Sequence, residues 1–161
     1  MENKLSTVAS LQNRNIRVLK FEVLVGDAKQ ERDNLVSFET SLGYDIKKSI
    51  PDDQFLLAQE YYFCTMTLSI DGCAKYEEKT QYEVHYLSCC EFRCNREGIT
   101  EVEFITNAEN SGLITLISNA RAQIQGATAL FGYINPYVFP LLNISAVISD
   151  HRSAIKEQEK E

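Results

Sequence analysis

The spacing of apolar residues changes once along this chain of 161 residues, and that change constrains its fold more than any other feature. Up to about Asn95, apolar and polar residues alternate with the period of two that is typical of β-strands. After Gly98, apolar residues recur at three- and four-residue spacing, as on a helix that packs along one side. The order predicts a single α+β domain over residues 1–161, with a four-stranded antiparallel sheet packed on a long helix in the C-terminal half.

The alternation predicts strands over residues 16–25, 35–47, 62–70 and 78–95. Asp71-Gly72 predicts the turn of a long hairpin between the last two. The last strand separates its side chains into two sets. One set is apolar and comprises Tyr82, Val84, Tyr86, Cys90, Phe92 and Cys94, whereas the other is polar and includes Glu83 and His85. We therefore expect one face of the sheet to meet the core and the other to meet water or a partner.

The helical spacing predicts one helix over residues 112–131, with Asn110 or Ser111 available as its cap and Asn135-Pro136 at its end. An apolar loop is expected over residues 137–148. A short charged C-terminal tail begins at Asp150, and a short helix is one possible structure for it. Residues 1–12 and 151–161 are expected to be flexible or peripheral.

Charge and the amino terminus limit the classes of partner. The net charge of −7 argues against nucleic acid and anionic membrane surfaces as main partners. Residues 122–149 carry no charge, but their glutamine, asparagine and proline residues argue against insertion in a membrane. The first residues lack the apolar stretch of a signal peptide, so we expect a cytoplasmic protein. Five cysteines without a C-x-x-C pair favour packed thiols over disulfides or zinc.

The residues needed for catalysis are sparse. The chain has two histidines, His85 on the polar side of a strand and His151 in the charged tail. It has no glycine-rich phosphate loop of either common kind. The sequence therefore predicts that the protein is not an enzyme and needs no cofactor.

An excess of aromatic and aliphatic residues remains to be explained. Its aromatic members are Phe38, Tyr44, Tyr61, Tyr62, Phe63, Tyr133, Tyr137 and Phe139, and the uncharged run at residues 141–144 accompanies them. These side chains either fill the core or line a groove for apolar segments of other chains.

The order of elements and several short motifs resemble the SecB family of export chaperones, over residues 12–150. The motifs are Asn15-Ile16-Arg17 in the first strand, Tyr82-Glu83-Val84 in the fourth, Ala120-Arg121-x-x-Ile124 in the helix and Pro140-x-Leu142-Asn143-Ile144 after it. The segment at residues 87–94 replaces the family's glycine-rich segment, and the loop after the helix is reduced. The chain thus resembles a divergent member.

The resemblance implies a function and a site. Family members are homotetramers, arranged as dimers of dimers, that capture unfolded or nascent polypeptides without ATP in apolar grooves. On this chain the implied substrate-binding positions are Phe38, Leu42, Tyr44, Tyr137, Phe139, Leu141, Leu142 and Ile144. The family's acidic sheet face binds the secretion motor ATPase, and the Tyr-Glu-Val motif carries that role to Glu83.

Two alternatives stay open at this stage. SecB-like proteins include solitary chaperones that protect an antitoxin, so the chain could guard a single partner instead of serving export. It could also be a small-ligand-binding protein in which Tyr62, Tyr86 and His85 line a pocket on a curved sheet.

Overall fold

The computed structural model describes residues 11–26, 36–50, 52, 57–130 and 136–158. Its strands are β1 (Leu11–Val25), β2 (Ser37–Lys48), β3 (Tyr61–Tyr76) and β4 (Lys79–Asn95). Its helices are α1 (Glu101–Asn107), α2 (Leu113–Leu130) and α3 (Ile144–Gln158), and a π-helical turn (Ala108–Gly112) joins α1 to α2. The predicted α+β class, with its sheet and long helix, is confirmed.

The four described strands form one antiparallel sheet in the order β1-β4-β3-β2. The two central strands are buried on the face that the alternation predicted. All six apolar residues named for β4 are at most 2% exposed, whereas Glu83 and His85 lie on the opposite face. We call these the core face and the open face of the sheet.

The turn between β3 and β4 is not at Asp71-Gly72, and that prediction was wrong. β3 continues through both residues, and the chain reverses at Glu77 and Glu78, whose φ angles are 46° and 64°. Gly72 has a different role, because a Cβ atom there would lie 2.5 Å from the Tyr137 hydroxyl oxygen. The glycine allows a tyrosine ring to lie against the sheet.

The helix predicted over residues 112–131 is α2 (Leu113–Leu130), and that prediction is confirmed. The sequence did not reveal that α1 and the π-helical turn precede it, so that the helical stretch begins at Glu101 and neither Asn110 nor Ser111 caps it. Thr100 forms a capping box with Glu103. The Thr100 hydroxyl accepts from the Glu103 amide at 3.2 Å, and the Glu103 carboxylate accepts from the Thr100 amide at 2.8 Å. These hydrogen bonds satisfy two backbone donors and fix the start of α1.

The C-terminal segment also differs from the prediction. The apolar loop was predicted to reach residue 148. It ends at Asn143, and α3 begins at the next residue. The Asn143 side-chain oxygen accepts from the Ala146 amide at 3.3 Å, as an N-cap does. The predicted tail helix is therefore the second part of α3, which packs Ile148 in the core at 6% exposure.

Candidate functional site

The segment that connects α2 to α3 forms the centre of the candidate site. Along its described part, Tyr137 and Phe139 are 0% and 4% exposed, whereas Val138 and Leu141 are 57% and 92% exposed. The aromatic residues therefore anchor the segment to the core, while Val138 and Leu141 face outward.

Tyr137 joins three parts of the fold. Its hydroxyl donates to the Glu39 carbonyl oxygen at 2.9 Å and forms a second hydrogen bond with the Thr40 hydroxyl. Its amide donates to the Thr128 hydroxyl at 3.0 Å. Burial raises the pKa of Tyr137, so the phenol stays protonated and keeps its donor. The residue thereby fixes the segment to both β2 and α2.

Aromatic rings surround Tyr137. Phe38 of β2 packs edge-to-face at 5.3 Å between ring centroids, and Phe139 lies at 6.4 Å. Tyr82 of β4 lies at 6.5 Å. We call Phe38, Tyr82, Tyr137 and Phe139 the aromatic cluster. It includes three of the residues that the SecB resemblance placed in a substrate groove.

Arg121 holds the outer side of the same segment. Its guanidinium donates to the Pro140 carbonyl oxygen at 3.1 Å and lies 5.4 Å from the centroid of the Phe139 ring. This arginine belongs to the motif that suggested the resemblance, but the sequence did not indicate what it contacts.

The second part of the site lies between β2 and α3. Tyr44 is 6% exposed, and its hydroxyl donates to the Glu109 carboxylate at 2.6 Å. The His151 ring lies 4.1 Å from the Tyr44 ring, centroid to centroid. Burial, followed by the hydrogen bond to Glu109, raises the pKa of Tyr44. A crevice of about 300 Å³ remains beside this contact, lined in part by Leu42 and Val147.

The eight residues expected to bind substrate therefore come from two neighbouring stretches, β2 and residues 137–144. Leu141 is fully accessible. Phe38, Leu42, Leu142 and Ile144 are partly buried against the core, and Tyr44, Tyr137 and Phe139 are buried. The structure thus shows the two stretches side by side in a largely closed arrangement, and their role in binding stays a prediction.

Glu83 lies in a shallow depression of the open face. His85 connects it to Asp71, because the His85 Nδ1 atom lies 2.6 Å from the Asp71 carboxylate and the Nε2 atom lies 3.7 Å from the Glu83 carboxylate. The depression measures about 390 Å³ and includes Glu39 at its rim. Lys75 pairs with the Glu39 carboxylate at 2.6 Å, so the carboxylates of Asp71 and Glu83 are the ones that would attract a basic partner.

The residues proposed for a small-ligand pocket do not lie together. Tyr62 and Tyr86 are on the core face, where Tyr62 stacks on Phe104 and Tyr86 packs edge-to-face with Phe21, each pair at 5.7 Å. His85 is on the open face. Because the sheet separates the tyrosines from the histidine, these three side chains cannot line one pocket.

Two further findings concern the part of the chain that the structure describes. None of its helices is long and apolar enough to cross a membrane. Within the same residues, no group of three or more histidine, cysteine or acidic side chains is arranged to hold a metal ion.

Comparison with known proteins supports the fold. No family model matches the sequence, and no curated protein matches it. Among solved structures, the chain is similar to a Mycobacterium tuberculosis SecB-like chaperone in complex with a peptide from an antitoxin, with a TM-score of 0.63 and 15% identity over 83% of this chain and 91% of that one.

A second solved structure is a Streptococcus agalactiae protein of unknown function. Its TM-score is 0.50 at 9% identity, over 82% of this chain and 97% of that one. Because both identities are low, these likenesses establish the fold alone. That fold is SecB-like.

Proposed function

We propose that this protein is an ATP-independent chaperone that holds extended apolar segments of unfolded polypeptides in the cytoplasm. The observation that carries the proposal is the segment after α2, which keeps aliphatic side chains exposed while aromatic side chains fix its backbone. The most exposed of them is Leu141, at 92%. A rigid backbone that presents apolar side chains offers contact area at low entropic cost.

The solved SecB-like structure provides a second line of support for this proposal. That chaperone holds a peptide on the same fold. The likeness covers 83% of this chain, which supports a similar mode of binding.

The energetics suit weak and reversible capture. Burying about 400 Å² of apolar client surface yields roughly 10 kcal/mol before ordering costs, at about 25 cal/mol per Å². Immobilising both chains offsets much of that energy. Several grooves in one assembly would strengthen the hold on a long client by avidity, while each contact could still release.

The proposal includes a homotetramer, built as a dimer of dimers. Its structural support is β1, whose outer edge has no partner strand among the described residues. This edge strand leaves Val18, Leu19, Leu24 and Val25 40–75% exposed. Exposed apolar edge strands are usually covered by pairing or assembly.

The test is suppression of aggregation of a chemically unfolded protein without nucleotide. We expect the wild type to suppress aggregation near stoichiometric amounts and to bind the native form of the same test protein poorly. Leu141→Ser should weaken suppression several-fold. Leu130→Ser is the matched control, because Leu130 is 88% exposed but lies outside the predicted set. Absence of suppression by the folded wild type would refute a general holdase.

A dedicated guardian of one partner is the second candidate, because the neighbour's bound peptide comes from an antitoxin. Capture from the protein's own cells distinguishes the two. One stoichiometric partner would favour the guardian, whereas many substoichiometric partners would favour the general holdase.

We propose the acidic depression around Glu83 as the surface for a basic partner, such as a secretion motor ATPase. Glu83→Gln should weaken binding of that partner and leave client capture unchanged. Glu97→Gln, an exposed glutamate beyond the end of β4, is the control. Equal effects of the two substitutions would remove Glu83 from the partner surface.

A further inference from the structure

Glu109 is the one buried charged residue among those that the structure describes, with 5% of the whole residue exposed. It lies in the π-helical turn between α1 and α2. A carboxylate in such a position is costly unless it is paired and hydrogen-bonded. Its partners therefore show which elements this part of the fold depends on.

Two elements supply those partners. Tyr44 of β2 donates to one carboxylate oxygen of Glu109 at 2.6 Å. Arg152 of α3 donates to the other oxygen and forms an ion pair with it. One carboxylate thus joins the long helix, the edge strand β2 and the C-terminal helix.

The ion pair is asymmetric. The side chain of Arg152 is 52% exposed, whereas that of Glu109 is 7% exposed. The buried member of the pair therefore lies in the π-helical turn, and the solvent-exposed member lies on α3.

The described side chains of α3, those of residues 144–154, make few fully buried apolar contacts. Within its described side chains, over residues 144–154, Ile148 is the one that is buried, while Ile144 and Val147 are partly buried. The crevice beside Leu42 and Val147 shows that the contact with β2 is incompletely filled. Over these described residues, the ion pair therefore adds to the packing of Ile148 and to the ring contact between His151 and Tyr44 in holding α3 against the rest of the fold.

We propose that α3 is a displaceable cover over the β2 side of the client groove and that the Arg152–Glu109 ion pair is its latch. This proposal rests on the proposed chaperone function. In the closed form α3 covers Leu42 and Tyr44, two of the predicted substrate-binding residues. Release of Arg152 lets α3 move away from β2, and a client segment then occupies the exposed surface.

The test compares two arginines in similar settings. Arg152→Gln removes the latch. Arg17→Gln is the matched control, because Arg17 is 54% exposed and pairs with Glu91 at 2.9 Å elsewhere on the sheet. Native-state amide exchange should become at least tenfold faster in α3 of Arg152→Gln, with β3 and β4 unchanged. It should stay at the wild-type rate in α3 of Arg17→Gln. Arg152→Lys should restore part of the protection.

A second readout tests the cover. Arg152→Gln should capture a chemically unfolded protein several-fold faster than the wild type, and Arg17→Gln should capture it at the wild-type rate. Unchanged exchange in α3 would refute the latch. Faster exchange with an unchanged capture rate would refute the cover. If the wild type captures no unfolded protein, the proposed function fails together with the cover, while the exchange rates still decide whether the latch exists.

Discussion

The close approach of Tyr137 to the sheet depends on Gly72. The substitution Gly72→Ala would place a Cβ atom 2.5–2.7 Å from three atoms of the Tyr137 side chain. Because Tyr137 is fully buried and hydrogen-bonded at its hydroxyl, it cannot move aside freely. We expect a loss of about 1–3 kcal/mol in the free energy of unfolding, measured by urea denaturation.

Gly126→Ala is the control for this substitution. Gly126 lies on the exposed side of α2, and no atom lies within 4 Å of the position that a Cβ atom would take there. Alanine should stabilise the helix at this position by about 0.5–1 kcal/mol. A Gly72→Ala protein as stable as the wild type would contradict the proposed contact.

Two buried thiols should make the protein sensitive to alkaline pH. Burial, followed by the neighbouring Cys90 thiol, raises the pKa of Cys64 to about 12. Burial also raises the pKa of Cys90 to about 11. Above about pH 9 these thiols ionise in the unfolded chain but stay neutral in the folded one. The free energy of unfolding should therefore fall as pH rises from 9 towards 11, by up to about 1.4 kcal/mol per pH unit for each thiol.

Urea denaturation at intervals between pH 7.5 and 10.5 measures this slope. Replacing Cys64 and Cys90 with alanine should flatten it, whatever the cost in stability at pH 7.5. Replacing the partly buried Cys73 with alanine controls for the loss of a thiol. An equal slope in the wild type and the double variant would show that other groups govern the alkaline decline.

At the scale of elements, the start of the long helix depends on Thr100. Thr100→Ala removes the hydroxyl that accepts from the Glu103 amide, and we expect a loss of about 1 kcal/mol. Amide exchange should accelerate in α1. The capping hydrogen bonds lower the pKa of Glu103. This contribution should therefore be present above the unfolded-state pKa near 4.3 and be lost as pH falls through the lower folded-state value.

Thr115 provides the comparison within the same continuous helix. Its hydroxyl donates to the Ser111 carbonyl oxygen at 2.9 Å and caps nothing. Thr115→Ala should be close to neutral, because alanine favours a helix interior. If both substitutions had the same effect, the capping box would not set the helix start.

The strands could be predicted from the sequence more completely than the helices. Alternation predicts all four strands because one face of the sheet is buried along most of β3 and β4. The helical part before α2 is harder to predict, because the π-helical turn interrupts the three- and four-residue spacing of its apolar residues. Phe104, Ala108 and Leu113 are all buried. The spacing from Phe104 to Ala108 fits one turn of an α-helix, but the spacing from Ala108 to Leu113 is longer than one turn. An uninterrupted α-helix would place Phe104 and Leu113 on opposite sides.

The site was predictable in composition but not in arrangement. The resemblance selected β2 and residues 137–144, which lie side by side in the structure, and their role in binding stays a prediction. Apolar character alone could not show which rings are buried. The Glu109–Arg152 pair was missed because its members are 43 positions apart in sequence. Each resembles an ordinary surface charge until the fold brings them into contact.

At the scale of the whole molecule, the exposed edge of β1 predicts assembly. Native mass spectrometry should give a multiple of the 18.3 kDa chain mass. Replacing both Leu19 and Leu24 with lysine should lower that multiple, because charge on an edge strand opposes pairing. Ile50→Lys is the control, since Ile50 is 47% exposed beyond the end of β2, the other edge strand. A monomeric wild type would contradict the expected assembly.

The sheet order has a consequence for how the chain folds as it is made. β1 is synthesised first among the described strands, but its partner is β4, and the paired residues Arg17 and Glu91 are 74 positions apart. At about 5–20 residues per second, roughly 4–15 s pass before that partner is synthesised. β2 also precedes its partner β3, whereas the β3–β4 hairpin can close locally. The first strand of the described sheet thus stays unpaired during most of the chain's synthesis, and the β3–β4 hairpin provides the edge on which β1 completes the sheet.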